Sequence, residues 1–120
     1  MISLDYRSGL PLYHQIVEGY KRLILSDVIK ENERLPSVRE LASKLAINPN
    51  TIQRAYRELE NEGYVGTSPG KGIFAVGSDT QKDREAQTIY DSISRDIQKL
   101  LDYGRDFDDI IHQITTRFNR

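Results

Sequence analysis

Apolar residues recur at helical spacing in several places along the chain, and shift to short β-like runs in only two. Between residues 11 and 26, Leu12, Tyr13, Ile16, Val17, Tyr20, Leu23 and Ile24 fall on one face at three- and four-residue steps. Pro11 suits the first turn of that helix, where its missing N–H is not needed. The stretch "DVIKENERLP" breaks the pattern and reads as a loop, with Asn32 as a turn residue that tolerates positive φ. In "PSVRELASKLAI", Ser37 and Glu40 have capping-box spacing. A short helix over Val38–Leu45 turns Leu41, Ala42 and Leu45 inward. After two or three residues Asn48 offers an N-cap and Pro49 a first helical position. The helix this opens runs to about Asn61 or Glu62, where Gly63 stops it in a left-handed conformation.

Two short strands come next, "YVGTS" and "GIFAV", joined by "PGKG" into a β-hairpin with a basic tip. The apolar pattern lapses near "GSDTQKD". It resumes over about 81–103, with Ile89, Ile93, Ile97, Leu100 and Leu101 on a stripe, and is broken by Gly104. A last helix over about 106–118 carries Phe107, Ile110, Ile111, Ile114 and Phe118 on its own stripe. Helix, short helix, tight turn, second helix and hairpin make a winged helix-turn-helix. The expected architecture is mostly α with a small β-hairpin wing, followed by an α-helical C-terminal hairpin. Residues 1–77 form a nucleic-acid-binding domain in this reading, and residues 78–120 a two-helix dimerisation region.

The helix from Pro49 has two dissimilar sides. At about 100° per residue, Ile52, Ala55, Tyr56 and Leu59 cluster within about a third of a turn, the width of a core-facing stripe. The other side carries Asn50, Gln53, Arg54, Arg57 and Asn61, with Thr51 at its edge, and Glu58, Glu60 and Glu62 are grouped toward the C-terminal half. Such a side suits a phosphate-lined major groove. Asn and Gln pair bidentately with adenine, Arg with guanine, and a helix N-terminus free of carboxylates favours nearby phosphate. A solvated helix face is the plainer alternative. The capped helix ahead of it, and Lys71 at the wing tip between two glycines, supply the scaffold that a groove reader needs. Arg39, in the first turn of the short helix, has a route to a phosphate or groove edge.

Composition narrows the field. Residues 1–78 hold ten Lys/Arg against nine Asp/Glu, so any basic surface is a local patch. No apolar run approaches the roughly 20 residues of a membrane span, and the N-terminus lacks the pattern of a signal peptide. The absence of cysteine excludes disulfides and thiolate metal sites and fits a reducing cytoplasm. His14 and His112 lie far apart with no paired spacing, no serine sits in a nucleophile motif, and "GTSPGKG" lacks phosphate-loop spacing. Asp108 and Asp109 complement a helix dipole. The expectation is no enzyme, no metal and no cofactor.

The stretch "LPSVRELASKLAINPNTIQRAYRELENEGYVGTSPGKGIFAV" closely resembles the DNA-binding domain of the GntR family of bacterial transcription regulators. It carries LPS-x-R-x-LA, then T-hydrophobic-x-x-A-x-x-x-L-x-x-x-G, then a Gly-rich wing. "NPNT", "RAYRELE" and the short tail are similar to the YtrA subfamily, whose two C-terminal helices dimerise. The resemblance implies a homodimeric repressor of a transporter operon, bound to a palindromic double-stranded DNA operator. It places DNA contacts at Arg39, at Asn48, Pro49, Asn50 and Thr51 of the recognition-helix start, at Gln53 where relatives read a base with Arg, and at Gly72 of the wing. Pro49 and Gln53 both stand where many relatives have Arg, so base preference does not carry over, and Arg54 and Arg57 are candidates to supply the charge. Asn32 stands where relatives often carry Gly.

Two helices with apolar stripes lack a core of their own, so the tail either packs on the winged helix or pairs with a second chain, and pairing is the expectation. It is too small to wall a ligand pocket of about 300 Å3. A small-molecule effector would have to bind at the dimer interface or between domains, and nothing in the residues demands one. A winged-helix protein-interaction module is the other alternative, but it should expose apolar anchors on the second helix.

Overall fold

The structure, a computed structural model, describes residues 2–77 and 79–119, without the side chain of Thr80. Its elements are α1 (Leu12–Leu25), α2 (Val38–Leu45), α3 (Pro49–Asn61), β1 (Val65–Ser68), β2 (Gly72–Ala75), α4 (Asp79–Asp102) and α5 (Phe107–Phe118). They fall into two compact units, Met1–Lys82 and Asp83–Arg120, and the boundary lies inside α4.

In the first unit α3 packs against both α1 and α2. Ile52, Ala55, Tyr56 and Leu59 are buried, as the stripe requires, against Ile16, Val17, Tyr20 and Ile24 of α1 and Leu41 of α2. The Tyr56 hydroxyl donates to the Pro36 carbonyl at 2.8 Å, and its ring meets Tyr20 edge-on at 5.9 Å between centroids. Local chemistry sets the helix ends. The Glu40 N–H donates to Ser37 Oγ at 3.1 Å and the Ser37 N–H to Glu40 Oε1 at 3.2 Å, so the capping box is closed in both directions. Asn48 Oδ1 accepts the Asn50 N–H at 2.8 Å, with Pro49 as the first helical residue. Gly63, at φ 85°, ends α3 as expected. Pro11 is the N-cap of α1 rather than its first helical residue.

Two features of this unit go beyond the sequence reading. The turn between α2 and α3 passes through Ala46 at φ 56°, a left-handed conformation held by its N–H bonding back to α2. The wing also has a third lane. Residues 32–35, read as loop, run antiparallel along the free edge of β2, with Leu35 N–H to Ile73 O and Ala75 N–H to Glu33 O both at 2.8 Å. β2 thus has β1 on one side and this segment on the other. Asn32 stands at φ 67° where the segment turns in.

Gln81, in the first turn of α4, is buried and donates from Nε2 to the Gly63 carbonyl at 2.6 Å. Lys82 pairs with Asp27 at 2.8 Å. In the second unit Asp106 caps α5 by accepting the Asp109 N–H at 3.2 Å. Ile110 is buried, whereas Ile89, Ile93, Leu100, Phe107, Ile111, Ile114 and Phe118 are exposed and Ile97 and Leu101 half-buried.

Candidate nucleic-acid interface

The helix that the sequence marks as a reader presents its polar side to solvent. Asn50, Gln53, Arg54 and Arg57 are exposed, and Thr51 at the edge is half-buried. Among the described residues, the side chains of Gln53 and Arg57 have no hydrogen-bond or ion-pair partner, so their donors are unspent. Both line a concavity of about 200 Å3 with Val38 of α2 and Thr67 and Ile73 of the wing. The first turn of α3 carries no acid. Two of the three glutamates nearer its C-terminus are engaged elsewhere. Glu60 accepts from the Thr67 hydroxyl, and Glu62 pairs with Lys21 at 2.8 Å. Carboxylate charge is thereby kept off the N-terminal half, where an anion would be met.

Arg54 is turned to the opposite flank. Its guanidinium stacks on the Tyr13 ring of α1, with Cζ 3.7 Å from the centroid. Asn48 uses its side chain as a cap, which leaves its carboxamide less free to contact a ligand than a sequence view suggests.

Around α3 stand two further elements. Arg39, in the first turn of α2, is exposed and has no ion-pair partner among the described residues. At the wing tip, Lys71 does not reach outward. Its ammonium lies 4.0 Å from the Phe74 ring centroid and donates to Asn32 Oδ1 at 3.2 Å. The Phe74 ring can occupy its place because residue 66 is Gly: a Cβ there would lie 2.9 Å from Phe74 Cζ. Gly72, at φ 77°, opens β2 beside Arg34.

Arg34 is a cation that the sequence reading did not single out. It is exposed, sits next to Gly72 in the third lane of the wing, and approaches Glu40 of α2 at 3.7 Å. The Ser37 backbone N–H, then the Ser37 side chain, hold the Glu40 carboxyl below its ordinary value, and Arg34 acts in the same direction. The only signal for Arg34 was its place immediately before the Leu-Pro-Ser motif, and nothing in the loop reading gave it a direction.

Among the described residues no group of three or more His, Cys, Asp or Glu is arranged to hold a metal ion, and no helix is long and apolar enough to cross a membrane. His14 is half-buried and meets Tyr13 edge-on at 6.4 Å. The ten apolar residues expected to dimerise divide as described for the second unit. A groove of about 520 Å3 runs there between Leu100, Ile110 and Ile114, flanked by Arg105 and Arg117, so the tail forms a larger concavity than the about 300 Å3 that its length was expected to rule out.

Comparison with known proteins bears on this geometry. The model of the bacterial regulatory proteins of the gntR family matches residues 12–75. The HTH-type transcriptional repressor YtrA of Bacillus subtilis (strain 168) is 47% identical over 74 residues, which are 62% of this chain and 57% of YtrA. The chain therefore spans little more than half the length of that relative. A crystal structure of a transcriptional regulator from Oenococcus oeni superposes with a TM-score of 0.81 at 32% identity, covering 99% of this chain and 100% of that one. The DNA-binding domain of AraR, crystallised in complex with operator ORR3, matches at 26% identity and a TM-score of 0.53, over 62% of this chain and 89% of the AraR chain.

Proposed function

The chain belongs to the GntR family of bacterial regulatory proteins, and from that premise we propose that it is a sequence-specific DNA-binding repressor that acts as a homodimer on a palindromic operator. The observation that carries this reading is the polar side of α3: uncovered, free of acid in its first turn, and bordered on the Gln53 and Arg57 flank by the first turn of α2 and the wing. AraR, whose DNA-binding domain shares this fold, is seen on operator DNA, which supports the same use of the helix here.

The proposed contacts divide by direction. Asn50, Gln53 and Arg57 face the groove floor, where amide and guanidinium groups discriminate base edges. Asn48, Thr51 and Arg39 flank it and suit backbone contacts, as do Lys71 and the main chain at Gly72 once the wing approaches DNA. Lys71 must leave Phe74 and Asn32 to do so. Arg54 completes the set. The exposed stripes of the second unit support pairing with a second copy, which would place two α3 helices on two half-sites related by the same two-fold axis. A protein-interaction module is disfavoured because the open side of α3 carries no apolar anchor. Resemblance to the YtrA subfamily suggests a transporter operon as the target, and cytoplasmic residence fits the whole.

Selection from a random duplex library with the purified protein tests this directly. The expected result is an inverted-repeat site whose affinity falls steeply with salt as phosphate contacts are lost. Recovery of no consensus, or of binding indifferent to salt, would sink the proposal.

A further inference from the structure

Resting on the reading that α3 enters a DNA groove, we propose that Tyr13 is a positioning residue. It holds Arg54 on the α1 flank of α3 as a clamp on the sugar–phosphate backbone, leaving base recognition to Asn50, Gln53 and Arg57.

The argument starts from the two arginines of α3. Three residues apart on a helix, Arg54 and Arg57 diverge by about 60° on either side of Asn50 and Asn61. Arg57 leans to the wing side, into the concavity it shares with Thr67 and Ile73. Arg54 leans to α1, and its head is committed there by the 3.7 Å stack on Tyr13. A side chain held against the neighbouring helix is drawn away from the groove floor and toward the ridge of phosphates that borders it.

The ring is a fixed platform. Tyr13 is half-buried and packs against the core of the first unit, and His14 closes one of its edges. A guanidinium stacked by its π-face keeps its N–H donors in plane and pointing outward. Those donors are unspent. Among the described residues no carboxylate is within ion-pairing distance of Arg54. Glu58, one turn on, makes no pair with it, and Glu18 and Glu62 are both bound by Lys21, at 3.7 and 2.8 Å. The first turn of α1, beside the stack, carries no acid. The arrangement is a cation held in place by an aromatic face, with its hydrogen-bonding edge open and no internal counter-ion. Such a group meets a phosphate with little reorganisation.

The test uses the full chain, the duplex recovered by selection and a set of single-base-pair variants of it, each titrated across a salt series. Arg54→Ala is expected to weaken binding by the same factor on every duplex. It should also reduce the slope of log K against log salt by about 0.9, the weight of one phosphate contact. Tyr13→Phe keeps the stack and should behave as wild type. Tyr13→Leu should weaken all duplexes alike by about two- to fivefold, the weight of an exposed cation–π pair, and should add nothing further when combined with Arg54→Ala. Each of these results would overturn the clamp: Arg54→Ala altering preference at one base pair, Tyr13→Phe as weak as Tyr13→Leu, or losses that multiply in the double variant. Because Arg54 is exposed, its variant reports even where Tyr13→Leu loosens the fold. A wild-type chain that binds no duplex in a salt-dependent way refutes the DNA reading itself. Normal wild-type binding with an unchanged slope in Arg54→Ala refutes the clamp alone.

Discussion

Removing one oxygen atom at Tyr56 should loosen the joint between the two helices of the helix-turn-helix. Tyr56 lies on the buried side of α3, 4% exposed, and its hydroxyl donates at 2.8 Å to the carbonyl of Pro36, just before the cap of α2. Tyr56→Phe keeps the ring and its edge-on contact with Tyr20 but leaves that carbonyl without its donor. A buried acceptor left unpaired costs about 1–3 kcal/mol. Pro36 is only half-buried, so water recovers part of the loss, and about 1–2 kcal/mol is expected. For a unit of this size each kcal/mol lowers Tm by about 4–8 °C.

The same residue gives a second, independent signature. Burial, and after it the neighbouring Tyr20, raise the Tyr56 hydroxyl well above the ordinary tyrosine value of 10.0. Burial raises Tyr20 as well, with Tyr56 acting the other way. The folded state therefore holds a proton that the unfolded chain releases near pH 10. This contribution to stability is complete below about pH 10 and is lost as pH rises toward the folded value. Phenylalanine has no proton to lose. The Tm gap between wild type and Tyr56→Phe should accordingly be widest at neutral pH and narrow above about pH 10. Thermal melts followed by far-UV circular dichroism across that range measure both effects. A variant that melts with wild type at neutral pH, or a gap that widens in alkali, would refute the reasoning.

Other sites give equally direct expectations. Ser37→Ala opens the capping box of α2 and should cost about 1 kcal/mol in thermal unfolding. Glu40 is held below its ordinary value, so its share of that stability is present at neutral pH and lost as pH falls through its folded value. The Ser37→Ala penalty should therefore shrink in acid, and a penalty that grows there contradicts the assignment. Gly66→Ala places a Cβ 2.9 Å from Phe74 Cζ, the far end of a ring that can swing, so a cost of about 1 kcal/mol is expected. Amide exchange over Val65–Ser68 should speed up with it, and unchanged protection would mean the ring does not need that space. Ile114→Glu charges the exposed stripe of the second unit and should convert a dimeric species to a monomeric one in sedimentation. A wild-type chain that sediments as a monomer removes the premise.

The elements legible in the sequence are those whose causes lie within one or two turns of chain. Ser37 with Glu40, Asn48 with Pro49, and Asn32 and Gly63 at positive φ carry their own reasons, and the structure has each where those reasons put it. The buried side of α3 followed from spacing alone, since a helix repeats its faces whatever packs against them. Its open side was equally plain, and with it most of the candidate DNA contacts.

Contacts between distant parts of the chain left no such trace. The pairing of residues 32–35 with β2 was hidden because "KENERLP" has no strand alternation, and only an unpaired strand edge nearby makes it extend. Lys71 read as a reaching cation because its partners, Asn32 and Phe74, are brought to it by the fold of the wing. Arg54 and Arg57 looked equivalent on a helical wheel. What separates them is that α1 delivers Tyr13 to one flank of α3 while the wing stands on the other. The sequence by itself determined which helices form, where they end and which side of α3 stays open, because backbone hydrogen bonding and burial act on short spans. Only the tertiary structure decided where each charged head comes to rest on that open side. A long side chain settles on whatever the packed neighbours present, and those neighbours are assembled by the core.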